Sequence, residues 1–300
     1  MKTAQKIEMH RGALEKNVSL ARFTSWKVGG SADVLYRPAD LLDLKDFLAT
    51  LEKDTPITWL GRGTNVLVRD GGIRGVVILL QGCLDQLELL EPTTMRAEVG
   101  ASCVKLARSS AAKDLVGAEF LAGIPGTVGG ALAMNSGAYG SETWDFVMHV
   151  ETIDRFGELR TRDRKDLCVG YRSVEGLEDD EWFVAAVFKF SAGDGEQARN
   201  IIRKLLHKRN VSQPVGHQSC GSVFRNPEND HAARLIDACK LKGLTVGGAQ
   251  VSTKHANFII NAGDATASDI EGLILKVRAT VENECGISLQ REVKIIGDVA

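Results

Sequence analysis

The sequence predicts an α+β protein built as three successive units of short strands and amphipathic helices. Its 300 residues are 44% hydrophobic and 25% charged, a composition that can bury a full core. Strand-like runs with many β-branched residues recur between segments of helical periodicity. No internal repeat or low-complexity linker interrupts this pattern, so unit boundaries are placed where the pattern changes.

The first unit is predicted over residues 1–95 and contains one helix among several strands. A strand is expected at 33–36. Asp40 is expected to cap the helix, whose apolar face consists of Leu44, Phe47, Leu48 and Leu51. Further strands are expected at 57–60, 66–68 and 76–80.

The second unit is predicted over residues 96–195. It starts with a helix at 102–113, followed by a glycine-rich stretch that runs to Gly140. Strands are expected at 147–154 and 183–190, and Phe156–Gly157 has the composition of a hairpin turn.

The third unit, residues 196–300, has the clearest helices. The first spans 196–209 and carries an apolar stripe of Ala198, Ile201, Ile202, Leu205 and Leu206. The second begins at a capping box of Ser268 with Glu271 and ends at Gly286. Strands at 258–261 and 293–296 bracket the second helix.

Charge and hydropathy exclude several classes of function. The chain has 37 Lys and Arg against 39 Asp and Glu, a net charge of -2, which gives no electrostatic footprint for nucleic acid or for a membrane surface. The longest aliphatic run, 76–80, is far too short to span a bilayer, and residues 1–30 lack the apolar core of a signal peptide. We expect a cytoplasmic protein that acts on small molecules and needs no protein partner.

The six cysteines and six histidines are dispersed along the chain. Without CxxC or HExxH spacing, neither a zinc site nor a disulfide framework is expected, and no metal is assigned. Most of the cysteines are interpreted as small buried apolar residues.

Glycine is the compositional anomaly, since twelve of the 31 glycines fall in two segments, 61–75 and 117–140. The first segment opens with Gly61-Arg62-Gly63-Thr64-Asn65 between two predicted strands. Because a strand and not a helix follows, the dinucleotide-binding fingerprint is excluded, and no P-loop motif is present. Two interpretations remain: an anion-binding nest of main-chain N–H groups, or a tight turn with positive φ at both glycines.

The second glycine segment holds seven glycines in 24 residues. So many glycines would weaken a structure whose only role was packing. We therefore expect a flat or charged ligand to lie against this backbone.

Five motifs in order resemble the UDP-N-acetylenolpyruvoylglucosamine reductase family over the chain from about residue 20. They are Gly61–Leu67, Ala122–Gly130, Gly170–Arg172, Gly221–Pro227 and Glu292–Val293. The resemblance is to the short form of the family, which lacks an extra tyrosine loop. It implies a vanillyl-alcohol-oxidase/PCMH-type FAD-binding fold of two subdomains (1–95 and 96–195) followed by a C-terminal α+β substrate-binding domain (196–300).

The resemblance also implies a reaction. NADPH reduces non-covalently bound FAD, which then reduces the substrate UDP-N-acetyl-3-O-(1-carboxyvinyl)-glucosamine to UDP-N-acetylmuramate for peptidoglycan synthesis. Neither glycine segment contains a His or Cys that could tether a flavin.

By resemblance, Arg172, Ser222 and Glu292 are the catalytic residues. A guanidinium suits the substrate carboxylate, Ser222 would deliver a proton, and Glu292 can donate a hydrogen bond when protonated. Without the motifs, Arg172 and Glu292 would be interpreted as surface charges. Ser222 lacks the GxSxG context of an acyl-transfer nucleophile.

Cofactor and substrate contacts follow from motif position. For FAD the residues are Gly61, Arg62, Gly63, Thr64, Asn65, Val66, Gly123, Ile124, Pro125, Gly126, Thr127, Gly129, Gly130, Asn135 and Ser136. For the nucleotide-sugar they are Tyr171, Arg225, Asn226, Lys254, His255 and Asn257, where a hydrogen-bonded core histidine and a packed tyrosine remain alternatives. One departure is Gln290-Arg291 before Glu292, where the family often has proline.

Two other functions compete with this one. A different flavoenzyme of the same fold, such as a sugar or hydroxy-acid oxidase, would have the same features in its first 190 residues. It should lack the Gly221–Pro227 motif and Glu292. A flavin- or nucleotide-binding module without catalysis would leave Arg172, Ser222 and Glu292 without a role.

Overall fold

The computed structural model describes residues 10–300. Its helices lie at α1 Leu41–Leu48, α2 Cys103–Ala112, α3 Val128–Ala133, α4 Gly195–Ser212, α5 Ala232–Ala238 and α6 Ala267–Cys285. Contacts divide the chain into two compact units. Unit 1 comprises 35–61 and 77–207 with the described residues up to Glu15, and unit 2 comprises 16–34, 62–76 and 208–300. None of the helices in this described range is long and apolar enough to cross a membrane.

A four-stranded sheet has the order β1-β2-β5-β3. Its strands are β1 Ala13–Ser19, β2 Ser31–Arg37, β3 Ile57–Leu60 and β5 Ile73–Leu79. Helix α1 precedes β3. Its N-cap is Asp40, whose carboxylate accepts the main-chain N–H of Asp43 at 2.9 Å. The predicted cap is therefore confirmed, but the helix ends before Leu51, which is not part of its buried face.

Unit 1 contains an antiparallel five-stranded sheet in the order β12-β11-β15-β7-β6. Its strands are β6 Leu87–Glu91, β7 Thr94–Glu98, β11 Val147–Asp154, β12 Leu159–Asp163 and β15 Glu181–Lys189. β15 is almost continuously apolar because it is a central strand that is buried on both faces. Helix α3 packs against β15 and β7. The predicted strands at 147–154 and 183–190 and the Phe156–Gly157 turn are confirmed.

Three small antiparallel ladders complete unit 1. They pair β8 Leu115–Val116 with β16 Ser191–Ala192, β9 Gly137–Ala138 with β10 Ser141–Glu142, and β13 Cys168–Gly170 with β14 Ser173–Glu175. Helix α4 follows β16. Its predicted stripe is only partly correct, because Ala198 and Ile202 are buried whereas Ile201 is 38% exposed.

Unit 2 has a core between helices α5 and α6 and an antiparallel sheet in the order β17-β20-β19-β18. These strands are β17 Gln218–Ser219, β18 Thr245–Val246, β19 Ala249–Val251 and β20 Ile259–Asn261. Trp26 and Leu67 from earlier segments join this core, and the indole of Trp26 donates to the carbonyl of Ile259 at 2.7 Å. A parallel pair, β4 Val66–Val68 with β21 Lys294–Ile296, completes the unit.

Helix α6 begins two residues earlier than the sequence predicts. Its N-cap is Thr266, which forms the capping box with Asp269, so the expected box of Ser268 with Glu271 is wrong. Ser268 instead donates from its hydroxyl to the Asp70 carboxylate at 2.8 Å. Glu271 forms a bidentate ion pair with Arg69. The predicted end at Gly286 is confirmed, with φ of 69°.

Candidate functional site

The first glycine segment forms the turn between β3 and β4, as predicted. Only one of the two expected positive φ angles is present, at Gly63 with 59°. A side chain at Gly63 would collide with the carbonyl oxygen of Phe23. Gly61 is needed for a different reason, since a Cβ atom there would lie 2.7 Å from Oγ1 of Thr127. The two glycine segments therefore meet at Gly61 and Thr127.

Three successive main-chain N–H groups of this turn remain available as hydrogen-bond donors. Those of Arg62, Gly63 and Thr64 have no hydrogen-bond acceptor within residues 10–300. Consecutive amides of this kind around a left-handed residue form an anion-binding concavity. The donor set fits the pyrophosphate of FAD.

The second glycine segment is partly explained by packing. A Cβ atom at four of its seven glycines would crowd protein atoms, for example Cε2 of Tyr139 at 2.6 Å from Gly123 and Cβ of Val99 at 2.9 Å from Gly129; the other two are Gly117 and Gly137. The expectation of a ligand along the whole stretch is therefore too broad.

The part of this segment that is least crowded by protein atoms lies at the start of α3. At Gly130 a Cβ atom would meet only Oγ1 of Thr127, at 3.8 Å. The N–H groups of Gly126 and Thr127 have no acceptor in the described part of the chain. Gly126, Thr127 and Gly130 thus offer small residues with two main-chain donors, which fits a flat polar ring system such as the isoalloxazine of FAD.

Arg172 lies in unit 1, in the two-residue turn between β13 and β14, with φ of 56°. Its guanidinium donates to the carbonyl oxygens of Asn135 and Gly137, both at 3.3 Å, and lies 5.1 Å from the centre of the Tyr171 ring. The alternative of a freely solvated charge is therefore wrong. Tyr171 itself is 48% exposed, so it is not a packed core aromatic.

Asn135 connects the glycine segment to the hairpin that carries Arg172. Its buried amide donates to the Glu142 carboxylate at 2.6 Å and to the carbonyl of Gly170 at 3.1 Å, and its oxygen accepts the N–H of Trp144 at 3.2 Å. Sequence reasoning placed Asn135 at the cofactor. The structure shows that its side chain forms hydrogen bonds within the protein. These bonds position the hairpin that carries Arg172. The neighbouring Ser136 carbonyl accepts two bonds from Thr143.

Ser222 and Glu292 are brought together in unit 2. Ser222 follows Gly221, whose φ is 75°. The carbonyl of Val223, the residue after Ser222, accepts the main-chain N–H of Glu292 at 2.8 Å, and Phe224 forms a bridge with Arg291. Both candidate catalytic side chains therefore project from adjacent, hydrogen-bonded backbone segments.

Asn65 adds a link to this pair that the sequence did not reveal. Its side-chain amide donates to the carbonyl of Glu292 at 3.2 Å. The buried thiol of Cys220 contacts the carbonyls of Gly63 and Val66 at 3.3 and 3.5 Å, and burial raises its pKa to about 12. These contacts connect the turn that is expected to bind pyrophosphate with the segment that carries Ser222.

Asn257 was expected to bind substrate, but its side chain holds the main chain of Phe224. Its oxygen accepts the N–H of Phe224 at 3.0 Å, and its nitrogen donates to the carbonyl at 2.8 Å. Its own carbonyl accepts the N–H of Val223 at 2.9 Å. Asn257 is 4% exposed. We therefore interpret it as a positioning residue, a role with no local sequence signal.

The other predicted substrate residues also lie in unit 2. Arg225 is half-buried, and its main-chain N–H donates to Gln290. Asn226 accepts the N–H of Ala232 at the start of α5, and the exposed Lys254 donates to the carbonyl of Asn210 at 2.7 Å.

His255 is held in a mostly apolar environment. Its ring packs edge-on against Phe258 with centroids 4.7 Å apart, and its buried Nδ1 has no partner within residues 10–300. Burial lowers its pKa, with a smaller effect of the Lys242 charge. In the described part of the chain no cluster of three His, Cys, Asp or Glu side chains is placed to bind a metal ion.

Two family models match the chain. "FAD binding domain" covers residues 32–162, and "UDP-N-acetylenolpyruvoylglucosamine reductase, C-terminal domain" covers residues 213–296. The expected α+β fold class, with an FAD-binding domain followed by the C-terminal domain of this reductase family, is confirmed. The chain is an FAD-dependent oxidoreductase.

Similarity to individual proteins extends over nearly the whole chain. The UDP-N-acetylenolpyruvoylglucosamine reductase of Methylococcus capsulatus is 54% identical over 96% of this chain and 94% of its own length. That of Legionella pneumophila is 53% identical over the same shares. A crystal structure of the Thermus caldophilus reductase superposes with a TM-score of 0.81 at 30% identity, covering 96% of this chain and 99% of that one. This chain belongs to the UDP-N-acetylenolpyruvoylglucosamine reductase family.

Proposed function

We propose that the chain uses NADPH to reduce the enolpyruvyl ether of UDP-N-acetylglucosamine to UDP-N-acetylmuramate, in the cytoplasm, as a step of peptidoglycan precursor synthesis. The main support for this proposal is the 54% identity, over nearly the full length, to proteins named UDP-N-acetylenolpyruvoylglucosamine reductase. The proposal assigns FAD to residues 1–95 and 96–195 and the substrate to 196–300. The bounds of the two family models, 32–162 and 213–296, support this division.

The arrangement of the chain's residues suits the chemistry of an enol ether that carries a carboxylate. When bound, FAD supplies hydride transfer from NADPH to the terminal carbon of the enol ether. Negative charge then develops on the carboxylate side of the substrate. A guanidinium is well suited to stabilise that charge, and Arg172 is held by the carbonyls of Asn135 and Gly137 before substrate arrives.

Ser222 and Glu292 complete the reaction in this proposal. The hydroxyl of Ser222 gives its proton to the carbon next to the carboxylate, and solvent later reprotonates the serine oxygen. Glu292 in its protonated form donates a hydrogen bond to the developing enediolate. The main-chain hydrogen bond from Glu292 to Val223 supports this pairing, since it holds the two backbone segments side by side.

Arg225 and Asn226, with Lys254 and His255, are proposed to hold the nucleotide-sugar. The anionic diphosphate needs locally placed donors, because the net charge of -2 provides no global positive field.

The first test uses the purified full chain. We expect a yellow protein that releases FAD on denaturation and oxidises NADPH when given UDP-N-acetyl-3-O-(1-carboxyvinyl)-glucosamine, with UDP-N-acetylmuramate as product by mass spectrometry. A colourless protein that FAD does not reconstitute would contradict the proposal. Oxygen-dependent turnover of sugars or hydroxy acids, without activity on the enol ether, would support the competing oxidase.

The role of Ser222 is tested by separating the two half-reactions in anaerobic stopped flow. We expect Ser222→Ala to keep flavin reduction by NADPH while flavin reoxidation by substrate falls by about 100-fold or more. Ser219→Ala, three residues earlier in the same segment, is the control and should leave both rates unchanged. If both half-reactions of Ser222→Ala fall together, Ser222 supports cofactor binding and not proton transfer.

A further inference from the structure

Two thiols approach each other in unit 2. Cys239 caps the C-terminal end of α5, and Cys285 is the last residue of α6. Their sulfur atoms are 3.6 Å apart although the residues are 46 positions apart in sequence. This pair could not be predicted from the sequence, because the two cysteines have no motif spacing.

We propose that Cys239 and Cys285 form an oxidation site that closes to an intramolecular disulfide when the protein meets a peroxide. A disulfide needs the sulfurs to come about 1.5 Å closer than their separation of 3.6 Å, a shift of the size that side-chain rotation supplies. Both residues end helices that pack against each other in one core, so the pair is held in place by the fold.

The two cysteines have different environments, which sets the order of the reaction. Cys239 is only 8% exposed, and burial raises its pKa to about 11. Cys285 is partly exposed, so a peroxide in solution reaches its sulfur first.

The chemistry balances with hydrogen peroxide as the oxidant. The Cys285 thiolate attacks one peroxide oxygen, the O–O bond breaks, and Cys285 becomes a sulfenic acid while the other oxygen leaves as water. The Cys239 thiol then attacks that sulfur, the S–O bond breaks, and a second water leaves. The two sulfurs together lose two electrons and two protons, and the peroxide is reduced.

The remaining cysteines provide controls. Cys168 is exposed, whereas Cys103 and Cys220 are buried and Cys83 is intermediate. If exposure alone decided oxidation, Cys168 would react first. The expectation that most of the six cysteines are buried is not met, because only Cys103, Cys220 and Cys239 are buried.

The test treats FAD-loaded protein with a small excess of hydrogen peroxide, alkylates the remaining thiols and maps peptides without reduction. We expect a Cys239–Cys285 cross-linked peptide, a loss of two titratable thiols per chain that dithiothreitol restores, and a higher melting temperature than for the reduced protein. Cys285→Ser should remove the cross-link and leave NADPH-dependent turnover unchanged. Cys168→Ser should retain the cross-link.

Three outcomes would overturn the proposal. They are Cys285 sulfinic acid without any cross-link, a cross-link formed mainly through Cys168, and a disulfide that persists in Cys285→Ser. If Cys285→Ser does not fold, Cys285→Ala and Cys239→Ala provide the same comparison. The thiol measurements do not use the substrate, so they are independent of whether the proposed reaction is observed.

Discussion

At the scale of single residues, the structure separates side chains that can meet ligands from those that hold them in place. Asn135 and Asn257 are both amides that motif position assigned to ligands. In the structure, one is bound to the hairpin of Arg172 and the other to the main chain of Phe224. Both amides are buried and bonded to the protein through nitrogen and oxygen, so their contacts hold the backbone in place.

Asn257→Asp tests this distinction with a minimal change of shape. The new carboxylate can still accept from the N–H of Phe224, but it would face the Phe224 carbonyl without a donor. We expect a loss of about 1–3 kcal/mol in the free energy of unfolding. Because the Ser222 segment shifts, we expect a fall of about 10- to 100-fold in kcat with little change in KM for the UDP-sugar.

Steady-state kinetics and urea unfolding measure both quantities, with Thr253→Ala as the control at an exposed neighbour. A raised KM with unchanged kcat and stability would show instead that Asn257 contacts the substrate.

At the scale of elements, the start of α6 shows how tertiary contacts choose among possible caps. Thr266 and Asp269 form the capping box, while the carboxylate of Asp70 accepts the N–H groups of Ala267 and Ser268 at 3.0 and 2.9 Å. Ser268 followed by Glu271 matches the capping pattern equally well in sequence. Only the position of Asp70 and Arg69, distant in sequence, excludes that alternative.

Thr266→Ala should cost about 1 kcal/mol of unfolding free energy, since one main-chain N–H of α6 loses its acceptor. Thr266→Ser should retain nearly all of that stability. Thr280→Ala, within the same helix, should be close to neutral because Thr280 bonds only to a carbonyl one turn earlier. Denaturant midpoints of the FAD-loaded proteins measure these differences. Equal midpoints for Thr266→Ala and Thr266→Ser would show that Thr266 is not the functional cap.

The elements with strong local patterns could be predicted from the sequence. β3, β4 and β11 have the expected bounds, because each is an apolar run between turn-forming residues. The stripe of α4 could not be predicted correctly, since periodicity does not show how much of an apolar face finds a partner. Likewise, motifs identified Arg172, Ser222 and Glu292, whereas the contacts that hold them depend on residues far away in the chain.

At the scale of the whole molecule, the compact units do not follow the order of the chain. Unit 2 draws on residues 16–34, 62–76 and 208–300, and its core includes Trp26, Val28 and Leu67. The region matched by the C-terminal family model, 213–296, therefore lacks part of the core against which it packs. Sequence patterns divided the chain into contiguous units because periodicity is a local property, whereas the core is assembled by long-range contacts.

The hydrogen bond from Asn65 to Glu292 joins residues 227 positions apart, and β4 pairs with β21 beside it. During synthesis from the N-terminus, β4 and the apolar side chains around it leave the ribosome long before their partner strand exists. Residues 77–207 form one uninterrupted stretch of unit 1 and can begin to fold at that stage. Unit 2 must wait for nearly the whole chain, so its unpaired β4 edge is the segment most in need of protection in the newly made protein.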